Sequence, residues 1–395
     1  MRKVRLKDIG TFYSGLSGKS KKDFSDGNAL LATYRNIFNN PVLNLDIKDT
    51  VVIGNGEKQN EVMYGDILFT GSSETPEEAG MSSVVMSEPK EKIYLNSFCF
   101  GFRLNNIIEI LPSYMGHLLR SEPVRKAISK TAFGVTRFNI NKNFLSEIEI
   151  PLPPLTIQRE IVSVLDSFTT LIDKMKQEVE LRKKQMEYYR EKLLSFDEEI
   201  RKLSFGKDFT LKARIGWQGL TKKEYLPDGE YKLITGTDFT TNNTIDFDHC
   251  VYVSKERYEQ DPYIQIKEDD VLITKDGTLG KIAYISELPM PATLNGGVFV
   301  VRGKTGEVTQ RFLKHYLISN NFKNWIEQNH TAGSIMHLTQ KLLEKFNIPV
   351  PSPSTQEDIV STLDSFEQYI SKLERLITLR EKQYAYYREK LLTFE

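Results

Sequence analysis

Two stretches of the chain carry apolar residues at alternating steps of four and three. The first contains Ile161, Leu165, Phe168, Ile172, Met175, Val179, Arg182, Met186, Tyr189, Leu193 and Phe196. The second contains Ile359, Leu363, Phe366, Ile370, Leu373, Ile377, Arg380, Tyr384, Tyr387, Leu391 and Phe394. Such spacing is a heptad seam, the stripe along which one long helix buries itself against another. The one polar interruption, an arginine, falls at the same place in both runs, and a single polar residue in a seam can set register. No proline or glycine breaks either run after its opening segment, so each predicts a helix of about 40 residues and on the order of 60 Å. Ser354 with Glu357 has the capping-box pattern for the second helix. Thr156 is the candidate cap of the first, with Arg159 where the box calls for an acid.

The two runs are copies. Sliding the chain by 198 positions aligns Ile150–Phe196 with Ile348–Phe394 without a gap, and 25 of the 47 positions are identical. The copies open on IPLPPLTIQREI and IPVPSPSTQEDI and close on YYREKLLSF and YYREKLLTF. A period this long exceeds the roughly 20–50 residues of a solenoid unit and implies a duplicated domain-plus-helix. The intervening segments repeat more weakly. GDILFT at 65–70 matches DDVLIT at 269–274, LNSFCFGFRL at 95–104 matches LNGGVFVVRG at 294–303, and YRNI at 34–37 stands where GTDF stands at 236–239. The boundaries read as a domain at 1–149, a helical spacer at 150–197, a second domain at 198–347 and a second spacer at 348–395. The spacers then pair antiparallel and give the chain a pseudo-twofold, which explains why its end repeats its middle.

Within the domains, short β-like runs alternate with helical ones, giving an α+β class. Strands are expected at VVI (51–53), GDILFT, FCFGFRL, DDVLIT, KIAYIS and GVFVVRG. Helical stretches are expected at 112–130 and 310–329. Polar turns rich in Gly, Ser, Thr and Lys separate them, a composition that suits contact with phosphates or base edges as well as ordinary surface turns. The candidate DNA-contacting residues on these turns in the first domain are Lys19, Lys21, Lys22, Arg35, Ser72, Ser73, Thr136, Arg137 and Asn139. In the second they are Lys222, Thr237, Lys275, Thr278, Ser334 and His337. Arg137, in GVTRFNIN, is the strongest, since an arginine bonds a guanine edge at two points. Phe138 is the expected anchor of its loop, and a pairing with Glu147 is the competing structural role.

Composition narrows the function. Apolar residues make up 39% of the chain, lysine plus arginine equals aspartate plus glutamate, and only Cys99 and Cys250 are present. Segment charges of +2, 0, 0 and −2 along the four boundaries above leave no strong basic field, so any nucleic-acid contact must be local. Two thiols build neither a disulfide framework nor a cysteine-rich zinc site. The start lacks a signal-peptide pattern and no run approaches a membrane span, so a cytoplasmic protein is expected. Catalytic motifs fail one by one. GKS at 18–20 has Tyr13 where a phosphate loop needs glycine. In PDGEYK, Asp228 is too close to Glu230 and Lys232 to come from a separate strand. PLPPL lacks the Asn or Asp and the aromatic of an amino-methyltransferase tetrapeptide. The five histidines (117, 249, 315, 330 and 337) show no H-E-x-x-H spacing, and His249–Cys250 reads as part of a strand. No catalytic, cofactor or metal residue is assigned.

The doubled proline-rich openings, the long helices after them and the paired GDILFT/DDVLIT blocks resemble the specificity subunit of Type I restriction-modification systems, over the whole chain. The resemblance implies two target recognition domains, each reading one half of a split double-stranded DNA site. It implies paired helices that act as a ruler and dock two methylation subunits, with restriction subunits joining the larger complex. Those partners would use S-adenosylmethionine, ATP and Mg; this chain would bind no cofactor and would not itself be an enzyme. Two readers in the major groove on one face would stand about one helical turn, roughly 34 Å, or a multiple apart. A protein-binding scaffold is the alternative of a different class, favoured if DNA binding is absent even with methylation partners.

Overall fold

The two heptad runs fold as the continuous helices Leu155–Leu193 and Pro353–Leu392 in a computed structural model that describes residues 2–216, 219–276, 279–329 and 338–394. The chain divides into two compact units. Unit 1 is Met1–Gln177 with Arg375–Glu395, and unit 2 is Glu178–Glu374. Each unit therefore holds one globular domain and a piece of both helices, so the compact units cut across the sequential order of domain and spacer.

In unit 1 the apolar runs build a four-stranded antiparallel sheet in the order Gly10–Ser14, Cys99–Leu104, Ile67–Thr70, Ser82–Val84. Phe12 faces Phe102 and Phe69 faces Phe100 across it, and the last pair stacks at 5.2 Å. A second sheet runs Thr50–Val51, Ala29–Ala32, Ile93–Leu95, with the last pairing parallel. Arg2–Arg5 pairs with Glu149–Leu152 and closes the domain just before the helix. Unit 2 repeats this plan. Its four-stranded sheet runs Phe209–Lys212, Val298–Gly303, Val271–Thr274, Ile282–Tyr284. Its mixed sheet runs Val251–Val253, Tyr231–Ile234, Ala292–Leu294, and Lys202–Ser204 closes on Asn347–Pro349. The weak sequence repeat is thus a repeat of topology. Even the Gly65-for-Asp269 exchange opening GDILFT and DDVLIT is explained. Both residues sit at positive φ, 83° and 67°, a conformation open to glycine and tolerated by aspartate.

The seam is buried as its spacing requires. Ile161, Leu165, Ile172 and Val179 of the first helix are buried, as are Ile359, Leu363, Ile370 and Ile377 of the second. The remaining seam residues are half-buried, apart from Tyr387, which is exposed yet stacks on Phe168 at 5.4 Å. The helices run antiparallel in both units. In unit 1, Phe168–Tyr387 is joined by the ion pair Lys176–Glu381 at 2.7 Å. In unit 2 the equivalents 198 residues away are Tyr189–Phe366 at 5.7 Å and Lys183–Glu374 at 2.9 Å. The first helix supplies lysine and the second glutamate both times, so a helix paired with its own kind would face like charges. The seam arginines bond mainly along their own helices. Arg182 bonds Glu178 and Gln185 of its own helix and lies 5.5 Å from the Tyr369 ring, while Arg380 bonds Gln383. Cross-helix ion pairs and the contact of Arg182 with the Tyr369 ring bridge the two helices.

The ends of the repeat do a second job. Leu392 lies in the core of the unit 1 domain, with Leu391 and Phe394 against it. Leu194, with Leu193 and Phe196, enters the core of the unit 2 domain. Burial of a leucine in such a core contributes about 1.5–3 kcal/mol, which accounts for the Leu-Leu pair shared by both copies. Three local expectations are corrected. The expected helical stretch at 112–130 is two helices, Pro112–Leu118 and Glu122–Ser129, with Pro123 in the first turn of the latter; its counterpart splits into Gln310–Ile318 and Asn320–Asn329. The cap of the second long helix is Ser352, whose Oγ accepts from the Thr355 amide at 3.2 Å, and Thr156 lies inside the first helix. His249 and Cys250 sit in the turn before the strand Val251–Val253, where His249 Nδ1 lies 2.9 Å from Asp238 Oδ1.

Candidate nucleic-acid interface

In unit 1 the segment AFGVTRFNIN folds as a hairpin. Ala132–Phe133 pairs with Phe138–Ile140, which pairs in turn with Ser72–Ser73. Its turn needs Gly134, which adopts a φ of 142° and where a Cβ would come within 1.9 Å of the Arg137 carbonyl oxygen. Strand alternation sends Ile140 and Phe138 inward, Phe138 packing against the core. The opposite face carries Phe133 and Asn139, a cross-strand pair, with Arg137 beyond them. Thr136, Arg137 and Asn139 are exposed. The Arg137 guanidinium lies 5.9 Å over the ring of Phe98, itself exposed. Glu147, the competing partner for Arg137, is occupied by Arg5 at 3.1 Å and Lys7 at 2.5 Å.

The other candidates occupy varied settings. Lys21 and Lys22 project from the exposed turn Lys21–Phe24, and Arg35 from the helix Tyr34–Asn39. Lys19 is held by Glu57 at 2.6 Å with its side chain only 8% exposed, and that partner keeps the Glu57 carboxyl down at about 2. Ser72 and Ser73 are buried in the strand beneath the hairpin, and Ser73 Oγ donates to Glu78 at 3.0 Å. In unit 2, Lys222 is exposed on the turn Lys222–Glu224 and Thr237 is exposed with its hydroxyl 2.7 Å from that of Thr235. Lys275 is half-buried over the Phe299 ring at 5.4 Å. Thr278, Ser334 and His337 lie outside the described residues. Sequence reasoning overlooked Phe98 and Lys142. Lys142 Nζ lies 5.0 Å from the Phe100 ring and donates to Ser14 Oγ at 3.1 Å. Phe100 and Phe299 are equivalent positions of the repeat, so each unit places a lysine over the same ring from a different element, the helix Lys142–Ser146 in unit 1 and the loop after Val271–Thr274 in unit 2.

Two polar clamps repeat in both units. Asp66, buried, accepts from Arg103 Nε at 2.9 Å and Nη2 at 2.7 Å, from Tyr13 Oη at 2.7 Å and from the Met63 amide at 2.9 Å. Asp270 accepts from Arg302 Nε at 2.6 Å and Nη2 at 2.5 Å and from the Lys267 amide at 2.8 Å. The second clamp joins domain to helix. His117 Nε2 lies 2.7 Å from Asp166 and His315 Nε2 lies 2.8 Å from Asp364; both histidines and both aspartates are 198 residues apart.

The two histidine sites differ around the other ring nitrogen. His117 Nδ1 meets Tyr384 Oη at 3.0 Å, whereas the equivalent of Tyr384 is Met186 and His315 Nδ1 is buried without a hydrogen-bond partner. His315, Asp364 and Glu367 bring ligand-type atoms within 4.8 Å of one another. Cations already fill that space: Lys314 lies 2.5 Å from Glu367, Arg311 pairs with Asp364, and buried Arg190 lies 3.7 Å from Glu367. A divalent ion would have to displace them, so the cluster reads as an ion-pair network. Burial pushes the His315 pKa down, with the Asp364 bond only partly opposing it. Burial pushes the Asp364 carboxyl up, but His315, Lys314 and Arg311 more than reverse that and hold it below its ordinary value. The folded chain thus protonates His315 at lower pH than the unfolded chain, whose ordinary value is 6.5, so this contribution to stability is full above that pH and falls as pH drops through and below it. His315→Gln is expected to flatten the melting-temperature profile over about pH 5.5–7; an unchanged slope would contradict this.

Two copies of one mixed domain, each packed on antiparallel helices and each presenting its own exposed polar loops, define a duplicated recognition module. The family model for the Type I restriction modification DNA specificity domain matches residues 1–181 and 218–381, and the chain belongs to that family. The EcoR124I/EcoR124II specificity subunit of Escherichia coli is 31% identical over 268 residues, 63% of this chain and 64% of that one. A putative Haemophilus influenzae type I specificity subunit is 29% identical over 66% of this chain and 68% of its own length. The matched stretches thus span about two thirds of these relatives. The crystal structure of a Type I restriction-modification S subunit from M. genitalium aligns with a TM-score of 0.55 at 16% identity, covering 100% of this chain and 96% of that one. A chain from a structure concerned with complex assembly and conformational transition of the type I R-M system gives 0.60, also at 16% identity, over 99% and 96%. Both likenesses show the fold. Among the described residues no helix is long and apolar enough to cross a membrane.

Proposed function

We propose that this chain is the specificity subunit of a Type I restriction-modification complex, in which unit 1 and unit 2 each read one half of an asymmetric bipartite DNA site. The observation that carries this reading is the form of the duplication. Strand order, buried aspartate–arginine pairs and histidine–aspartate clamps repeat, while the exposed candidate readers among the described residues differ between the units. Shared frames with unlike surfaces suit two readers of different sequence. The helices set the separation and dock two adenine-methylating subunits. In support, Leu181 and Tyr188 in unit 2 and Leu379 and Tyr386 in unit 1 are exposed apolar residues at equivalent positions of the repeat, and two equal surfaces suit two copies of one partner. The methylating partners use S-adenosylmethionine, and restriction subunits use ATP and Mg; this chain supplies recognition and no chemistry. Its near-zero charge fits partners that share the phosphate contacts.

Arg137 tests the assignment of the reader. It is exposed and unclaimed by Glu147, and a two-point contact to guanine discriminates by about 1–3 kcal/mol. In the complex with its methylating partners, Arg137→Ala is expected to relax one half-site and leave the other half and assembly intact, as measured by methylation of a panel of single-base site variants. Unchanged selectivity at every base removes Arg137 as a reader, and failure to assemble makes it structural.

A further inference from the structure

The hairpin that carries Arg137 is more apolar than a phosphate-binding loop requires. Val135 at its tip is 90% exposed, Phe133 is 58% exposed and Phe98 beneath Arg137 is 59% exposed. A folded domain gains nothing by leaving such groups in water, so their cost is offset only when something covers them. The surroundings indicate what does. Residues 129–146 contain Lys130, Arg137 and Lys142 and no carboxylate, which favours an anionic partner. The adjoining turn carries Glu74 and Glu77, both exposed, which disfavours a run of phosphates at the same spot. A surface that offers an arginine fork, an amide and an apolar tip beside acidic groups fits a base edge in the major groove better than it fits the backbone. On that edge the one apolar group is the 5-methyl of thymine.

We infer that this hairpin reads a thymine by its methyl group, with Val135 as the contacting residue and Phe133 beside it, next to the base pair met by Arg137. The inference rests on the DNA-reading role proposed above and adds the base that unit 1 selects. Val135 and Arg137 are two residues apart on one short turn, so the thymine lies within a base pair or two of the Arg137 contact. Val135 is 90% exposed, so its replacement removes the contact with little effect on the frame.

The test uses the complete complex of this chain with its methylating partners and duplexes of its own target. Each thymine of both half-sites, on either strand, is replaced in turn by deoxyuridine, which lacks only the 5-methyl group. One position is expected to weaken binding about fourfold, the equivalent of one buried methylene at ~0.8 kcal/mol. With Val135→Ser, thymine and deoxyuridine should bind equally at that position. The inference is overturned if deoxyuridine is tolerated everywhere, if Val135→Ser keeps the discrimination, or if that variant fails to assemble because the tip meets a protein. A complex that prefers no sequence at all refutes the parent reading instead, so the two failures are distinct.

Discussion

Replacing Asp66 by alanine is expected to destabilise unit 1 by about 1–3 kcal/mol, the range for leaving buried hydrogen-bond donors without their acceptor. The pair is weak as a source of net stability, because Asp66 loses its hydration on burial while the Arg103 side chain stays 40% exposed. Breaking it is another matter, since the donors were placed for an anion. Asp66 is 1% exposed and collects the Arg103 fork, the Tyr13 hydroxyl and the Met63 amide. Burial and the Asp66 carboxylate hold the Tyr13 phenol well above its ordinary pKa, so it remains a donor. Alanine leaves the amide and the hydroxyl unpaired between the strands Gly10–Ser14, Ile67–Thr70 and Cys99–Leu104. Hydrogen exchange should show those strands losing protection while Phe209–Lys212, Val271–Thr274 and Val298–Gly303 keep theirs. A loss below about 1 kcal/mol, or an equal loss in both units, would mean the pair does not hold the sheet together.

That pair also marks how far the sequence could be read. The heptad seam, the 198-residue repeat and the apolar strands were legible because each is a local periodic signal. GDILFT and DDVLIT stood out as matched blocks, but their aspartates find arginines 37 and 32 residues away, and no local pattern specifies a cross-strand partner. The His117–Asp166 and His315–Asp364 clamps left a usable trace in the shared 198-residue offset. Lys19 looked like a phosphate-contacting lysine because its turn is polar; that its charge is met by Glu57 depends on a loop 38 residues on. Ser72 and Ser73 looked like loop residues because serine favours turns, and became a strand because Phe138–Ile140 pairs with them. In each case tertiary pairing overrode composition.

Shortening the paired helices by one heptad each is expected to shorten the unread gap of the target by roughly three base pairs, or to abolish methylation. Removing 176–182 with 375–381 keeps the antiparallel register, because Lys183 still meets Glu374 and position 175 then faces 382. Seven residues at about 1.5 Å each remove about 10 Å, against 3.4 Å per base pair along one strand. Removing seven residues from one helix alone breaks the matching of seam and ion pairs and should cost assembly. An active complex with an unchanged gap would rule out the helices as the spacer.

Sequencing the adenine methylation of a host that carries the intact system, first with the natural chain and then with the matched deletion, tests the central claim most directly. Two unlike readers on one duplicated frame predict a single asymmetric motif in two parts separated by a constant unspecified gap, with both parts retained and only the gap altered in any active shortened variant. One contiguous motif, a palindrome with identical halves, or no motif dependent on this chain would contradict the account.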